Sequence, residues 1–556
     1  MKKRVKWWGL IFLAVIGIFF LYLFIAIRIP APEVNEAFYD TVVIKKGEGQ
    51  LRTYKNNWLR KAKNGLWEMY VEGTPFERGV IMGKLSKPLV VKQEENFIAS
   101  LRKMVPGEAY INFLKYFVAW FNRDLDESIP EEYKEEIYGV SRSASSEFDY
   151  IGPKYNRILN YHAAHDIGHF LQELHLVPGC TSFGVWDGKT KDSSLIVGRN
   201  FDFYVGDAFA KDKIVAFIRP DKGNKFMMLT WGGMIGAVSG MNDKGLTVTI
   251  NAARAKIPFS SATPVSIVAR EVLQYADNIQ EAYAIIAKRK TFVAQSFLIG
   301  SAADNKAVVI EKTPKAVAIL KPDTNYIFCA NHFKTSKLKN DKYNLEQFEE
   351  TSTGYRYRRM RDLVEADKTI GPEQAAAILR DTKGNKGQKI GYGNERALNQ
   401  LQGHHSIIFK PGERLVWVST APWQEGKFVA YDLKKVFGED AGLKEDKEIA
   451  IDSLEIPEDP FMHTADFKKY IAYRKLKVEV EQLTKEGKKN DTLVEAFILD
   501  NPDYYLVYKL AGKYYEKQGN IEKAIEKYQI GLTKAISWEK DSLSMAARLT
   551  ELQEGK

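Results

Sequence analysis

Cysteine is scarce in this chain. Its 556 residues hold two, Cys180 and Cys329, so one bridge at most could form, and only in an oxidising compartment. An excess of one charge is lacking too. The formal net charge is +10, modest for the length, and Lys2, Lys3, Arg4 and Lys6 supply part of it. No basic stripe interleaved with aromatics occurs, which excludes nucleic acid as a partner. The small positive balance suits an anionic membrane surface nearby. Histidine is rare, with eight in all. His162, His165 and His169 share one face if their segment is a helix, and Asp166 adds a carboxylate. Zinc could bind such a group. The preferred reading is polar histidines on a packed helix, so no metal and no cofactor are expected.

Long apolar runs are also few, and one stands out. Trp7–Ile27 is unbroken for 21 residues, long enough to span a ~30 Å hydrocarbon core as a helix. Ala26-Ile27-Arg28 is a poor cleavage exit, and no cysteine follows for lipid attachment. With the basic cluster ahead of it, residues 1–30 read as an uncleaved signal anchor with the basic end inside. A cleaved signal peptide is the alternative. The rest of the chain then lies outside the cytoplasm, periplasmic or extracellular. At 45% hydrophobic and 12% aromatic it can bury a large core, and it exceeds one domain of ~100–200 residues.

The densest chemical signal begins at Gly179-Cys180. Cys180 opens the strand-like run Thr181–Asp187, and Leu195-Ile196-Val197 leads to Arg199 and Asp202. A thiol, a guanidinium and a carboxylate thus sit on two runs that a short turn can pair. A cysteine thiol near pKa ~8.5 is mostly protonated at neutral pH and needs a base and nearby positive charge to attack a carbonyl. An α-amine, titrating near ~7.7–8.0, is well matched to that task. Arg199 could lower the thiol pKa or hold a substrate carboxylate. Asp202 could orient a new α-amine. From this segment alone, a structural cysteine followed by a surface Arg/Asp pair is an equal reading.

Downstream motifs shift that balance. Gly240-Met241-Asn242-Asp243-Lys244-Gly245-Leu246 is a turn feeding a strand that ends at Asn251. Asn331 follows Tyr326–Ala330 and precedes His332-Phe333. Arg356 lies in the aromatic and arginine-rich run 352–359. In this order the chain resembles the choloylglycine hydrolase and penicillin acyltransferase branch of the N-terminal-nucleophile (Ntn) hydrolases. By that resemblance Cys180 is the nucleophile, Arg199 and Asp202 its Arg-x-x-Asp pair, Asn251 an active-site asparagine, Asn331 the oxyanion-hole asparagine and Arg356 the late arginine. The resemblance implies cleavage at Gly179-Cys180, which frees the α-amine of Cys180 as base. Glu72–Gly79 followed by Gly83 looks like the opening of the acyltransferase-type N-terminal chain, so bile salt specificity does not transfer. A disulfide would consume the nucleophile, and Cys329 is read as a small buried apolar residue.

Strand patterns recur at 181–187, 193–203, 213–219, 225–231, 245–252, 292–301, 307–312, 316–320, 325–331, 405–410, 414–420 and 427–432. Helical patterns fall at about 266–290, 355–369 and 372–381. The region before Cys180 reads as mostly helical, at about 94–121 and 131–146. The implied fold is α+β: a four-layer αββα sandwich after one transmembrane helix and before an all-α tail. The domains are 1–30, the anchor; 34–179, the N-terminal helical chain; 180–440, the catalytic part; and 441–556, the tail. In the tail, residues 503–536 resemble one tetratricopeptide (TPR) repeat, with Tyr508, Gly512, Tyr515, Ala524, Tyr528 and Gly531 at its aromatic and small positions. Helices at about 464–486 and 540–553 complete a bundle that serves as a docking site for a protein partner or as a cover. The expected function is a membrane-anchored cysteine amidase or acyltransferase. It acts on a linear C–N bond of an N-acyl amide through a Cys180 thioester, with residues 7–27 in the membrane. The competing readings are a non-catalytic, membrane-tethered TPR assembly factor and a metallohydrolase built on the His162 group.

Overall fold

The computed structural model describes residues 29–104, 120–123, 125–170, 179–203, 206–256, 262–438 and 449–555, with six positions between 11 and 22. The apolar run Trp7–Ile27 lies largely outside the described residues. Among them no helix is long and apolar enough to cross a membrane.

Two β-sheets, of eleven and six strands among the described residues, face each other. The period-2 alternation of side chains assigns their faces. In the strand Ile214–Pro220 of the larger sheet, Val215 and Phe217 enter the core between the sheets, while Ile214, Ala216 and Ile218 turn outward. In the strand Ser193–Phe201 of the smaller sheet, Leu195 and Val197 enter the same core and Ile196 turns outward. The strand His405–Lys410 repeats this with Ile407 and Phe409 against Ile408. Outside the larger sheet the helices Pro75–Leu85, Glu131–Ser141, Lys154–Phe170, Val265–Tyr275 and Ile279–Lys288 close a second core. Outside the smaller sheet Thr353–Ala366 and Pro372–Leu379 close a third. The layers therefore run helix, sheet, sheet, helix.

Residues 34–179 are mostly helical from Pro75 on among the described residues, as expected, but their start is not. They supply the strands Arg52–Tyr54, Asn57–Lys61 and Trp67–Gly73 to the larger sheet. The last pairs in parallel with Ile214–Pro220, from Trp67↔Ile214 to Gly73↔Pro220. The first two are short and rich in Lys, Arg and Asn, and the partner of the third lies far along the chain, so local pattern does not announce them. The strand Ser239–Asn242, half Ser and Gly, is likewise unannounced. The pattern at 266–290 is two helices, broken where Asn278 caps the second by accepting from Glu281 N at 3.1 Å.

The Gly-Thr-Pro-Phe-Glu-Arg-Gly run has a structural explanation. Thr74 and Glu77 form a capping box for Pro75–Leu85, with Thr74 N donating to Glu77 Oε2 at 3.0 Å. Gly79 lets this helix cross Glu131–Ser141 at backbone contact, since a Cβ there would lie 2.1 Å from the Glu136 carbonyl oxygen. Beside the crossing, buried Glu136 pairs with buried Arg78 at 2.8 Å and buried Arg270 at 3.2 Å.

The described tail is helical: Ala465–Glu486, Asp491–Asp500, Tyr505–Lys517, Ile521–Leu532 and Glu539–Gln553. Gly512 receives the Tyr528 ring, whose Cε1 would lie 2.5 Å from an added Cβ. The tail does not stand apart. Asn394 Nδ2 donates to Ala535 O at 2.9 Å, Ser537 Oγ to Asn394 Oδ1 at 2.8 Å, Ser352 Oγ to Ser537 O at 2.7 Å and Tyr470 Oη to Leu401 O at 3.0 Å. It therefore grips the loop 390–401 and the start of the helix Thr353–Ala366. The proposed boundary at 440/441 falls outside the described residues.

Candidate active site

Cys180 immediately precedes the strand Thr181–Asp187, which pairs antiparallel with Ser193–Phe201 in the register Ser182↔Arg199. The turn between them thus brings Arg199 beside the nucleophile candidate. Both side chains are buried. Arg199 Nη2 lies 3.9 Å from Cys180 Sγ and also donates to Ile250 O, while Nη1 donates to Val238 O at 2.8 Å and to Ser239 Oγ. The guanidinium is thus held by the facing sheet and can barely move. Burial pushes the Cys180 thiol up, Arg199 pulls it down and Asp202 pushes it up again; the net direction is up. In the uncut chain the thiol is protonated at neutral pH and needs a base.

Asp202 follows the end of Ser193–Phe201. Its carbonyl accepts from Gly179 N at 3.0 Å, fixing the residue before Cys180. Its carboxyl is 2% exposed, and burial pushes it up to about 7, against the pull of Arg356, Gln424 and Arg199. Oδ2 has no hydrogen-bond partner among the described residues. A buried carboxylate oxygen left open beside Gly179-Cys180 suits a new cation there.

Asn251, near the end of the strand Leu246–Ala253, accepts from Ser182 Oγ at 3.0 Å and donates to Cys329 O at 3.2 Å. Asn331 lies just beyond the strand Tyr326–Cys329, which is shorter than the sequence pattern suggests. Arg356 Nη2 donates to Asn331 Oδ1 at 2.7 Å, so the amide presents its NH2 elsewhere, with one N–H on Ala252 O at 2.9 Å. Arg356 Nη1 donates to Glu395 O at 2.8 Å. Burial lowers Arg356 to about 10, and its charge acts on both Asp202 and Cys180. The six candidates thus fall in one buried region, linked through strand pairs, hydrogen bonds and charge.

The two cysteines are free and buried. His162 uses both ring nitrogens, Nδ1 on Ile158 O at 2.8 Å and Nε2 accepting from Ile235 N at 2.9 Å, and burial lowers it to about 4. It has no lone pair left for a metal, and the described residues contain no three-ligand group. The side chains of His165 and His169 lie outside the described residues.

Sequence reasoning missed several polar neighbours. His405 Nε2 meets Ser239 Oγ at 2.8 Å, and His404 Nδ1 meets His405 Nδ1 at 2.8 Å. Gln424 Nε2 lies 3.5 Å from Asp202 Oδ1. Gln400 Nε2 donates to Gly179 O at 2.9 Å. The run of amides and histidines at 399–405 was the available signal.

Residues 188–420 match the family of acyl-coenzyme A:6-aminopenicillanic acid acyl-transferases. Over that segment the chain is similar to this family. The matched segment carries Arg199, Asp202, Asn251, Asn331 and Arg356, and starts after Cys180. An uncharacterized protein of Archaeoglobus fulgidus is 25% identical over 300 residues, 51% of this chain and 49% of its own. Protein dcd1A of Dictyostelium discoideum is 22% identical over 285 residues, 47% of this chain and 60% of its own. The chain thus spans about half to three-fifths of these relatives. Among solved structures it is similar to a Caenorhabditis elegans N-acylethanolamine-hydrolyzing acid amidase ortholog. That match has 16% identity and TM-score 0.31, and covers 42% of this chain and 93% of that one. A mutant of the conjugated bile acid hydrolase of Clostridium perfringens gives 14%, 0.32, 46% and 93%.

Proposed function

We propose that this protein is an Ntn-type cysteine amidase or acyltransferase that cleaves a linear C–N amide bond of an N-acyl substrate. It matures by cutting Gly179-Cys180. In the mature enzyme the freed α-amine takes the thiol proton, Cys180 Sγ attacks the acyl carbonyl, and the amine product leaves as the thioester forms. Water or a second amine then resolves the thioester. Arg199 stabilises the thiolate, Asp202 holds the α-amine, and an Asn331 N–H donates to the oxyanion while Arg356 orients that amide. The observation that carries this reading is the open, buried Asp202 oxygen beside the Gly179-Cys180 bond. We place the catalytic part outside the cytoplasm, tethered by residues 7–27. A reporter active only outside the cytoplasm, fused after Lys556, tests that topology. Intact mass measurement, followed by turnover assays on N-acyl amino acids, N-acylethanolamines, bile salt conjugates and penicillin V, tests the chemistry.

Asn331→Ala is expected to lower kcat by roughly 10²–10³-fold with folding nearly intact, the loss typical of one oxyanion donor. A rate near wild type would remove Asn331 from the mechanism.

Asp202→Asn should impair cutting and turnover, and it also has a pH signature in an uncut background. The folded carboxyl sits near 7 and an unfolded one near ~3.9, so the folded chain keeps a proton that the unfolded chain has lost. Ionised Asp202 therefore destabilises the fold. The cost is absent below about pH 4, grows through the window and is complete above about 7. Relative to Cys180→Ala, the Cys180→Ala/Asp202→Asn protein should gain thermal stability as pH rises from 4 to 7 and level off above. The gain is on the order of a few kcal/mol, at ~1.4 kcal/mol per pH unit. A flat difference across that range would contradict the buried, unpaired carboxyl.

A further inference from the structure

Gln400 is the polar side chain at the scissile bond that the mechanism above leaves without a task. It is 2% exposed, and its Nε2 donates to the Gly179 carbonyl oxygen at 2.9 Å. The end of the amide that faces the carbonyl is determined, because Gln402 Nε2 donates to Gln400 Oε1 at 3.1 Å. The flanking backbone is fixed as well. Leu401 N donates to Asn399 Oδ1 at 3.0 Å, and Leu401 O accepts from Tyr470 Oη at 3.0 Å. From the other side, Asp202 O holds Gly179 N at 3.0 Å. The contact also explains the glycine: an added Cβ at 179 would lie 2.0 Å from Gln400 Nε2. Asn331, by contrast, donates to Ala252 O.

We propose that Gln400 is the oxyanion donor for self-cleavage at Gly179-Cys180, a maturation role separate from the Asn331 oxyanion site used in turnover. This rests on the reading that this bond is the one cut. In the first step Cys180 Sγ bonds to the Gly179 carbonyl carbon, and the carbonyl oxygen gains charge facing the Gln400 N–H. The C–N bond then breaks, the nitrogen takes up the thiol proton, and a Gly179–Cys180 thioester and a free α-amine result. One water adds to the thioester, which yields the Gly179 carboxylate and returns the thiol. A fixed N–H already aligned on the oxygen that becomes anionic needs no reorganisation during the step, and loss of one such donor costs ~10²–10³ in rate.

The test follows cutting of full-length chains made by cell-free translation, with gel and intact-mass readouts. Gln400→Ala and the near-isosteric Gln400→Met, which keeps volume but has no N–H, are compared with wild type. Each is also combined with Cys180→Ala, so that melting of uncut protein reports whether the fold survives. Both variants are expected to cut ~10²–10³-fold more slowly. Added hydroxylamine, which cleaves thioesters, should not restore their rate, because the slowed step precedes the thioester. Cutting within threefold of wild type in either folded variant would overturn the assignment. So would recovery on hydroxylamine, since the thioester would then be forming normally. A wild-type chain that is never cut refutes the maturation reading itself; a wild-type chain that is cut, with variants cut equally fast, refutes the role of Gln400 alone.

Discussion

Cys180→Ala is expected to remain a single full-length chain with no detectable turnover, whereas wild type resolves into two pieces, the larger beginning at Cys180. The argument is one of atoms: alanine has no sulfur to attack the Gly179 carbonyl, and an uncut chain has no α-amine to act as base. Cys180→Ser should cut slowly and turn over poorly, since a hydroxyl is a weaker nucleophile under the same weak base. The two wild-type pieces should separate only under denaturing conditions. The strand Trp67–Gly73 lies before the proposed cut, yet it pairs through its whole length with Ile214–Pro220 after it, and Arg78 before that point is salt-bridged to Asp221 after it. Gel filtration in native buffer should return both pieces in one peak. An active wild-type enzyme that stays uncut would refute the mechanism.

The second large effect is on folding. Gly79→Ala is expected to prevent the protein from folding, because the new methyl would meet backbone rather than a movable side-chain end, at 2.1 Å from Glu136 O. Relief requires the helices Pro75–Leu85 and Glu131–Ser141 to move apart. That would separate Glu136 from Arg78 and break one arm of a buried ion-pair network in which Glu136 also pairs with Arg270 and Arg78 with Asp221. Two mechanisms of large destabilisation then act together, and a loss above ~4–5 kcal/mol is expected. Soluble yield and melting temperature in a Cys180→Ala background measure it. A melting temperature within a degree or two of the parent would show that the helices have more room than this geometry allows.

What the sequence announces is what depends on neighbours. The strand Thr181–Asp187 is legible at both ends, between Gly179-Cys180 and a turn at Asp187-Gly188. Arg199 and Asp202 are legible because one tight turn returns them to Cys180. Asn251, Asn331 and Arg356 are recognisable only by their order along the chain, and their contacts, such as Arg356 on Asn331, are not written in any local pattern. The partner of Gln400 was illegible, since it sits 221 residues away and the loop has no periodicity. The strands before residue 74 were hidden for a related reason, since Trp67–Gly73 takes its place only when Ile214–Pro220 exists to receive it.

The grip of the tail on the loop 390–401 has a consequence in time. Tyr470, Ala535 and Ser537 emerge from the ribosome after every residue of the reaction centre, yet they hold the segment that carries Gln400 and, through Ser352, the start of the helix that carries Arg356. A nascent chain lacking them has its thiol and its scissile peptide but not the bracing that sets the geometry for attack. On the proposed maturation, the cut would then be a late event that follows synthesis of the tail helices. Chains ending at residue 440, or stalled on ribosomes at that point, are expected to accumulate uncut while full-length chains mature in the same reaction. Cutting of both at one rate would show that the tail serves another purpose.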